Sequence, residues 1–542
     1  MDRERASLLL LLAAVPVFLV ALGANSIWDA NEAFYVETPR QMVVTGDYLN
    51  PSFGGEPRFN KPVLSYWLVA GTYHVLGESV AAERMVIAAA ALVTILATLV
   101  IGGAIGGRAT GLLAAVVLAT APRFVFFSRR ILIDVLVTMF MTAALACFVA
   151  AERYPERRRT MLLLMYLAIG GGVLTKGPVA LVLPLLAFGA WLLMERRLGD
   201  VRRLMILPGA LIVLAVVVPW YAAIYNQHGW DYIRQFFVGE NLDRFSAPFT
   251  TARSAFFFIP VLLADILVPW APLLVVPLLT AWRNEPDTAE SGPIRRAVWC
   301  WVVVIVAAFS FSASKEDLYI LPAIPAAAAL IADGLVRTAW GEANRGIGWV
   351  LVAISFACLV LSGVIFEWFT DGYYAVAGAA TLSVLLAMTG ALAIASLWRR
   401  QFVAAVLTLA CGFILFNYVF VARALPDLER LKPVRPLASV INQRGGPAAE
   451  LGFFNMDLPS FVYYTKRPVV KIGDIDSAAR FLQERDDVWL VTSTPEWNAL
   501  RVRVADACVA AERPLFAAKA SDILLRRPPP QVVLLTRGRG CR

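Results

Sequence analysis

Charged residues and potential metal ligands are scarce in this sequence of 542 residues. Asp, Glu, Lys and Arg together account for 16% of the chain, whereas soluble domains contain about 25%. This shortage of charge excludes a soluble globular fold. Apolar residues take the place of the charged ones: 59% of the residues are hydrophobic, and the mean hydropathy is +0.67. These values indicate a polytopic α-helical membrane protein.

Histidine and cysteine are too few and too scattered to indicate a metal site. The two histidines, His74 and His228, do not form a two-histidine motif. Four of the six cysteines lie in apolar runs and none has a metal-like spacing, so neither a zinc site nor a disulfide framework follows. No cofactor is certain, and a divalent metal is not supported. The net charge of +9 does not predict nucleic acid as a partner, because the arginines lie in short loops where membrane orientation explains them.

Apolar runs long enough to cross the roughly 30 Å of a bilayer core recur along the first 425 residues. The first run lacks a convincing cleavage site, so we interpret it as an anchored span rather than a removed signal. We predict thirteen spans, at residues 7–24, 82–102, 109–122, 131–151, 161–174, 178–194, 204–222, 256–281, 297–312, 318–336, 347–367, 375–397 and 402–422. With the amino terminus inside, every inside loop is basic, and the odd count places residues after about 423 outside. Two spans, 109–122 and 161–174, are short. Merging either with a neighbour would make the number of spans even and would place the residues after about 423 inside.

The loop at residues 25–81 is much longer than a simple connection between two membrane helices needs to be. Residues 31–45 have the spacing of a short amphipathic helix, which would lie along the membrane interface rather than cross it. An apolar and aromatic segment, 62–76, follows the motif FNKP. We interpret this loop as part of a site. The alternative is a membrane-surface loop with snorkelling cations.

Cations on the side of the membrane that basic residues avoid need another reason to be there. A phosphate or pyrophosphate carried by a lipid would neutralise them. Five such residues are expected near the outer interface: Arg129, Arg130, Lys176, Arg244 and Lys315. For any one of them, a snorkelling or loop cation is the alternative.

Acidic residues near the same face are candidates for catalysis. Asp29 and Glu32 follow the first span, where a carboxylate would take a proton from an acceptor hydroxyl or orient a donor, and helix capping is the alternative. Glu37 is expected to pair with Arg40. Asp134 enters the fourth span at a high energetic cost, which favours a site over a structural pair with an arginine.

Three further features are weaker. Asp265 lies within the eighth apolar run, but no cation stands near it in sequence. Lys315 and Tyr319 precede a helix containing Pro322, where freed backbone groups are tolerated beside a cavity, so they would hold a phosphate or serve as interfacial anchors. The segment 236–245, FFVGENLDRF, adds Glu240 and Arg244.

Residues 426–542 differ in character from the membrane body at residues 1–425. Strand patterns at 448–454, 460–469, 487–492 and 523–526 alternate with helical patterns at 478–484 and 496–511. This alternation predicts a small α/β domain. The tail after Arg526 is expected to be loosely ordered.

Together these motifs resemble those of the C-type membrane glycosyltransferases that use a polyprenyl-phosphate sugar. The similar branch includes the bacterial lipid A aminoarabinose transferases and the protein O-mannosyltransferases. The resemblance is carried, in chain order, by NEAFYVETPRQMVVTGDYLNP, FNKPVLSYW, the arginines before Asp134, TKGP, GENLDRF and SKEDLYILPAIP. It implies a body of thirteen spans, interfacial helices in the first periplasmic loop and a carboxy-terminal periplasmic α/β domain.

The resemblance also implies an inverting displacement at the anomeric carbon, assisted by an acid of the first loop, with cations stabilising the departing lipid phosphate. Carried onto this chain, the contacts to the lipid phosphate fall to Tyr35, Arg58, Lys61, Arg244 and Tyr319, and Asp134 is the second acid. Two departures stand out: Asn31 precedes Glu32 where relatives often have an acid, and Asn60 and Asn241 replace an acid and a histidine. The first leaves open whether Asp29 or Glu32 is the base. The second argues against a metal.

The resulting hypothesis is an inner-membrane enzyme that moves one sugar from an undecaprenyl-phosphate donor to an acceptor at the periplasmic face. Lipid A is the first candidate acceptor, and a protein acceptor of an O-glycosyltransferase is the alternative. A lipid or polysaccharide transporter would also have many spans, but it predicts internal repeats that this sequence lacks. A scaffold that presents the tail domain leaves the outer cations unexplained.

Overall fold

The computed structural model describes residues 3–246, 253–282, 291–339, 345–485, 487–517 and 519–541. Within these residues, eight helices are long and apolar enough to cross a membrane: Val80–Gly106, Ile133–Arg153, Ile206–His228, Ser291–Phe311, Asp317–Arg337, Gly346–Phe369, Ala379–Trp398 and Phe402–Leu431. All eight coincide with predicted spans. The full count of thirteen stays a prediction.

The α-helices of the membrane body are α1 Arg3–Ala14, α2 Asn31–Thr45, α3 Leu64–Leu76, α4 Val80–Gly106, α5 Arg108–Thr120, α6 Pro122–Phe127, α7 Ile133–Arg153, α8 Arg158–Lys176, α9 Val179–Met194, α10 Ile206–His228, α11 Trp230–Ile233, α12 Arg244–Ser246, α13 Phe258–Val261, α14 Val275–Trp282, α15 Ser291–Phe311, α16 Ile324–Ala339, α17 Arg345–Phe369, α18 Ala379–Trp398, α19 Phe402–Val419 and α20 Leu425–Asp427. Tighter 3₁₀ turns include Val15–Phe18 and Asp317–Ala323, and wider π turns include Arg234–Asp243 and Leu262–Ile266.

Two predicted spans differ from the observed helices. The run at 256–281 is not one helix, because α13, a π turn, a 3₁₀ turn at Ala271–Leu274 and α14 follow one another. Pro269 precedes the 3₁₀ turn and Pro272 lies within it, and neither can donate the backbone hydrogen bond that a continuous helix needs. The run at 7–24 consists of α1 and the 3₁₀ turn at Val15–Phe18.

Small residues allow the central helices to approach closely. At Gly111 of α5 an added Cβ would lie 2.5 Å from the backbone oxygen of Leu99 in α4. The run from Ala326 to Ala329 in α16 is fully buried. Close contact of backbones through small residues is the usual way in which helices associate in lipid.

The first loop folds as α2, a short hairpin and α3. Helix α2 has the predicted bounds, and strands β1 Ser52–Phe53 and β2 Glu56–Pro57 pair antiparallel after it. The two acids of this helix, Glu32 and Glu37, are both fully buried. Helix α2 is therefore enclosed by protein on its polar side as well.

The carboxy-terminal region forms a five-stranded sheet in the order β4-β3-β5-β7-β6. Its strands are β3 Glu450–Phe454, β4 Val469–Ile472, β5 Val488–Ser493, β6 Ala507–Pro514 and β7 Gln531–Arg537, and its helices are α21 Val434–Arg444, α22 Ser460–Thr465, α23 Ile475–Gln483, α24 Thr494–Leu500 and α25 Ala520–Leu524. Strands β3, β4 and β5 pair in parallel, whereas β7 is antiparallel to β5 and β6. Buried side chains on both faces of β3 and β5 account for their strongly apolar sequences.

Four predictions for this region were wrong. The predicted strand at 460–469 begins as the helix α22, which contacts the first loop and α4 through Ser460 and Tyr463. The second half of the helical pattern at 496–511 is β6, and residues 523–526 are not a strand. The tail contributes β7, which lies between β5 and β6. Cys508 and Cys541 form a disulfide between β6 and the end of the chain. A pair 33 residues apart has no sequence signature that marks it as a disulfide.

Candidate functional site

Glu32, in the first turn of α2, is the centre of a buried ionic cluster. Its carboxylate accepts hydrogen bonds from Arg84 Nε at 3.2 Å and Arg84 Nη2 at 3.0 Å. The backbone N–H groups of Trp28 and Ile131 donate to the same carboxylate at 2.5 and 2.8 Å. Burial alone would raise the pKa of Glu32, but Arg84, Arg130 and Lys432 hold it below its ordinary value. Glu32 therefore fastens the first loop to α4 and to the turn before α7.

Asp29 is bound to the carboxy-terminal region. The backbone N–H of Ser460 donates to Asp29 Oδ1 at 2.8 Å, and the Ser460 hydroxyl donates to Oδ2. Burial raises the pKa of Asp29 to about 6, although the two Ser460 hydrogen bonds and Lys432 act in the opposite direction. Both oxygens of this predicted catalytic acid are thus engaged at the start of α22.

Tyr35 on α2 lies in an aromatic and cationic group with Arg58 and Tyr66. The rings of Tyr35 and Tyr66 stack with centroids 5.8 Å apart. Arg58 Nε donates to the Tyr66 hydroxyl at 3.3 Å, and its guanidinium lies 4.0 Å from the centroid of Phe34. Burial, together with Tyr66, raises the pKa of Tyr35 well above its ordinary value, so this phenol is a neutral hydrogen-bond donor.

Lys61 is paired with an acid from a distant segment. Its Nζ lies 2.7 Å from Glu240 Oε2 and also donates to the backbone oxygen of Asn60 at 2.9 Å. The Asn60 amide donates to the other Glu240 oxygen at 2.9 Å. The π turn at Arg234–Asp243 is therefore joined to the FNKP motif through Glu240.

Asp134 and Lys176 form the second ion pair of the site. Lys176, the last residue of α8, donates to the carboxylate of Asp134 at the start of α7. The Lys176 Nζ also lies 5.2 Å from the centroid of Tyr319, within the range of a cation–π contact. Both charged side chains are partly exposed, at 18% and 15%. An acid, a cation and a phenol from three segments therefore meet beside solvent.

The two ion pairs belong to one site. Beyond the effect of burial, the negative charges of Asp134 and Glu240 both raise the pKa of the Tyr35 phenol, so each carboxylate lies within electrostatic range of Tyr35. Gly177, after Lys176, has φ +88°, and an added Cβ would lie 2.5 Å from the Phe236 ring. The TKGP turn thus contacts the segment that carries Glu240, and only glycine fits this contact.

Two further predicted phosphate-binding residues, Lys315 and Arg244, are not among these contacts in the described part of the structure. Lys315 is buried, and its Nζ donates to the backbone oxygen of Ser312, while Arg253 donates to the Lys315 oxygen at 2.9 Å. The chain at Arg244 is helical, but its side chain lies outside the described part of the structure. The structure thus brings together Tyr35, Arg58, Lys61, Asp134, Lys176 and Tyr319.

The predicted ion pair between Glu37 and Arg40 is present, with 2.6 Å between the charged groups. Other ionic partners were not predicted from the sequence. Asp265, by contrast, has a cation that sequence proximity did not reveal, because Arg123 lies 3.5 Å away. Arg84 was also missed, although adjacent charges at Glu83 and Arg84 inside an apolar run were a usable signal. Among the described residues, no group of three or more His, Cys, Asp and Glu side chains could hold a metal ion.

Comparison with known proteins places these features in a family. Residues 6–233 match the family model described as dolichyl-phosphate-mannose-protein mannosyltransferase. The chain is 30% identical over 372 residues to the undecaprenyl phosphate-α-4-amino-4-deoxy-L-arabinose arabinosyl transferase of Erwinia tasmaniensis, covering 67% of this chain and 66% of that one. The transferase of the same name from Pseudomonas savastanoi is 31% identical over 370 residues, covering 66% and 67%. The chain therefore spans about two thirds of the length of these curated relatives.

The fold is also shared with a solved structure. The crystal structure of ArnT from Cupriavidus metallidurans bound to undecaprenyl phosphate superimposes with a TM-score of 0.80 at 22% sequence identity, covering 97% of each chain. At 22% identity, this structural similarity shows that the two proteins share a fold. The family match, the curated relatives and the shared fold agree, and the chain belongs to the C-type membrane glycosyltransferases that include the aminoarabinose transferases and the O-mannosyltransferases.

Proposed function

We propose that the protein transfers a single sugar from an undecaprenyl-phosphate donor to an acceptor at the periplasmic face of the bacterial inner membrane. The observation that carries this proposal is the meeting of Lys61, Arg58, Lys176 and two tyrosines in one partly exposed group. Cations and phenol donors in one place suit a phosphate leaving group. The thirteen spans and the periplasmic position of residues 426–542 belong to the same proposal.

The roles follow from the contacts. Lys61 and Arg58 would bind the donor phosphate, Tyr35 would donate to it, and Glu240 would yield Lys61 when the phosphate arrives. Asp134, which pairs with Lys176 and is 15% exposed, would be the second acid of the site. Arg244 and Tyr319 would close the opposite side of the site.

Asp29 and Glu32 remain proposed catalytic acids, and their contacts support a positioning role. Each holds one side of the first loop, Asp29 through Ser460 and Glu32 through Arg84. An inverting displacement onto a hydroxyl acceptor requires a base, whereas an ionised phosphate acceptor requires none. If variants of Asp29 and Glu32 lose transfer only to the extent that they lose stability, neither acid acts as a base. That result would favour a phosphate as the acceptor.

Lipid A is the first proposed acceptor, because the curated relatives with 30–31% identity are aminoarabinose transferases by name. The match of residues 6–233 to a protein mannosyltransferase model makes a protein acceptor the second candidate. Mass spectrometry of lipid A and of periplasmic proteins, from a deletion strain and its complemented parent, separates the two. A mass shift also identifies the sugar.

Transfer from a labelled donor, measured in membranes, tests the site. We expect Lys61→Gln, Asp134→Asn and Lys176→Gln each to lower the rate by about 100-fold, because each removes a charge that acts on the reacting groups. Lys471→Gln is the matched control, since Lys471 is 70% exposed and pairs with Asp457 at the edge of the sheet. Wild-type rates in all three site variants would overturn the proposed site.

A further inference from the structure

Arg130 has no counter-ion of its own within the described part of the chain. Its Nε is buried and forms no hydrogen bond. The guanidinium instead lies 5.1 Å from the ring centroid of Trp28 and 5.3 Å from that of Phe126. The neighbouring Arg129 differs, because it donates to the backbone oxygens of Val17 and Val20. Arg129 is structural, whereas the charge of Arg130 is available.

A second cation, Lys432, lies beside the same aromatic ring. Its Nζ lies 4.2 Å from the centroid of Trp28, pairs with Glu429 at 3.7 Å and donates to the backbone oxygen of Ser26. Two acids attract Arg130, but Glu32 is bound by Arg84 and Asp317 is bound by Arg123. Burial, together with Arg84 and Arg123, lowers the pKa of Arg130 despite these acids, and burial also lowers the pKa of Lys432, to about 8. A bound anion would give Arg130 the direct partner that these acids do not supply.

An aromatic row leads from the membrane helices to this position. Successive ring centroids are 5.9 to 6.5 Å apart along Phe413, Phe416, Phe420, Phe126, Trp28 and Phe516. The first two lie on α19, a candidate membrane span, and the last lies in the carboxy-terminal region. Trp28, Phe126 and Phe420 are partly exposed. Such a row offers apolar faces to a lipid chain or to the hydrophobic face of a sugar.

We propose that Arg130, Lys432, Trp28 and Phe126 form a second anion-binding subsite, which holds the phosphate of a lipid-borne acceptor. Its position supports this assignment, because Arg130 precedes Asp134 by four residues and the intervening Ile131 N–H binds Glu32. The donor phosphate is assigned to Lys61 and Arg58, so two phosphates would occupy separate cationic groups. As an acceptor subsite, this proposal rests on the proposed function.

Binding of glucosamine 1-phosphate to the purified full chain, followed by calorimetry in detergent, tests the subsite. We expect Arg130→Gln to weaken binding by about tenfold or more, because a charge-assisted contact to phosphate is lost. Lys61→Gln should leave this affinity within about twofold while it weakens binding of undecaprenyl phosphate. Lys471→Gln is the control for a general loss of positive charge.

Three outcomes would overturn the proposal. The first is unchanged binding in Arg130→Gln, and the second is loss of glucosamine 1-phosphate binding in Lys61→Gln, which would place the phosphate at the donor site. The third is equal affinity for inorganic phosphate, which would indicate a free-anion site instead of a sugar- or lipid-borne phosphate. Arg130→Lys keeps the charge, so weaker binding by a stably folded Arg130→Lys supports the guanidinium contact if Arg130→Gln fails to fold. Because binding is measured without transfer, failure of the enzyme assay and failure of this subsite are distinguishable.

Discussion

Asp29 is expected to make the stability of the protein depend on pH, and Asp29→Asn should remove that dependence. In the folded protein both carboxylate oxygens accept hydrogen bonds from Ser460, yet burial dominates and raises the pKa to about 6 from an ordinary value of 3.8. An asparagine at this position still offers an oxygen to Ser460 but carries no ionisable proton. The variant therefore isolates the cost of the buried charge.

The sign and size of the effect follow from the pKa. Since folding raises the pKa of Asp29, the folded state binds the proton more tightly than the unfolded state. The stabilisation from Asp29 is present in full below about pH 4 and is lost as the pH rises through about 6. The difference in pKa corresponds to at most about 3 kcal/mol in the free energy of unfolding.

Thermal unfolding of the purified protein between pH 4 and 8 measures this pH dependence of stability. The stability of Asp29→Asn relative to wild type should rise between pH 4 and about 6.5 and then level off. Asp506→Asn, which changes an exposed carboxylate of the same region, is the control for the loss of one negative charge. A flat difference for Asp29→Asn would refute the conclusion that this carboxylate is destabilised by burial.

Two further predictions concern buried contacts. Arg84→Gln leaves Glu32 buried without its cation and should lower the free energy of unfolding by about 3–5 kcal/mol. Arg108→Gln is the control, because it breaks an ion pair in which the arginine side chain is 73% exposed, and it should cost under about 1 kcal/mol. Thermal unfolding of the two variants measures both effects. Gly177→Ala should destabilise by about 1–3 kcal/mol and slow transfer, because its Cβ would meet the Phe236 ring at a positive φ; equal stability and rate would show that the ring moves aside freely.

Local patterns in the sequence predicted the local structure well. The bounds of α2 followed from apolar spacing, and Gly46 after Thr45 ends the helix in the left-handed conformation that such a stop requires. Eight long apolar runs became eight long helices. Asp134 was singled out because an acid in a membrane helix is costly, and Lys176 because basic residues are disfavoured on the outer side; the structure pairs the two.

Contacts between distant segments could not be predicted in the same way. Glu240 lies 179 positions from Lys61, and no property of either residue in isolation specifies the other. In the carboxy-terminal region, short apolar runs such as 460–465 and 507–514 fit a helix or a strand equally well, and sheet pairing and docking decided between them. Residues 531–537 were misjudged because three prolines precede them, although the strand itself is wholly apolar in its centre.

The attachment of α22 bears on attempts to shorten this protein. Ser460 binds Asp29, Tyr463 donates to Glu83 at 2.8 Å, and the Tyr464 hydroxyl accepts from the Ile27 N–H at 2.9 Å. A chain trimmed after α19 would uncover these acids and this backbone group all at once. Residues that look like a detachable appendage are thus part of the wall that shapes the first loop, and chimeras between relatives should exchange that loop and its docking helix as one unit.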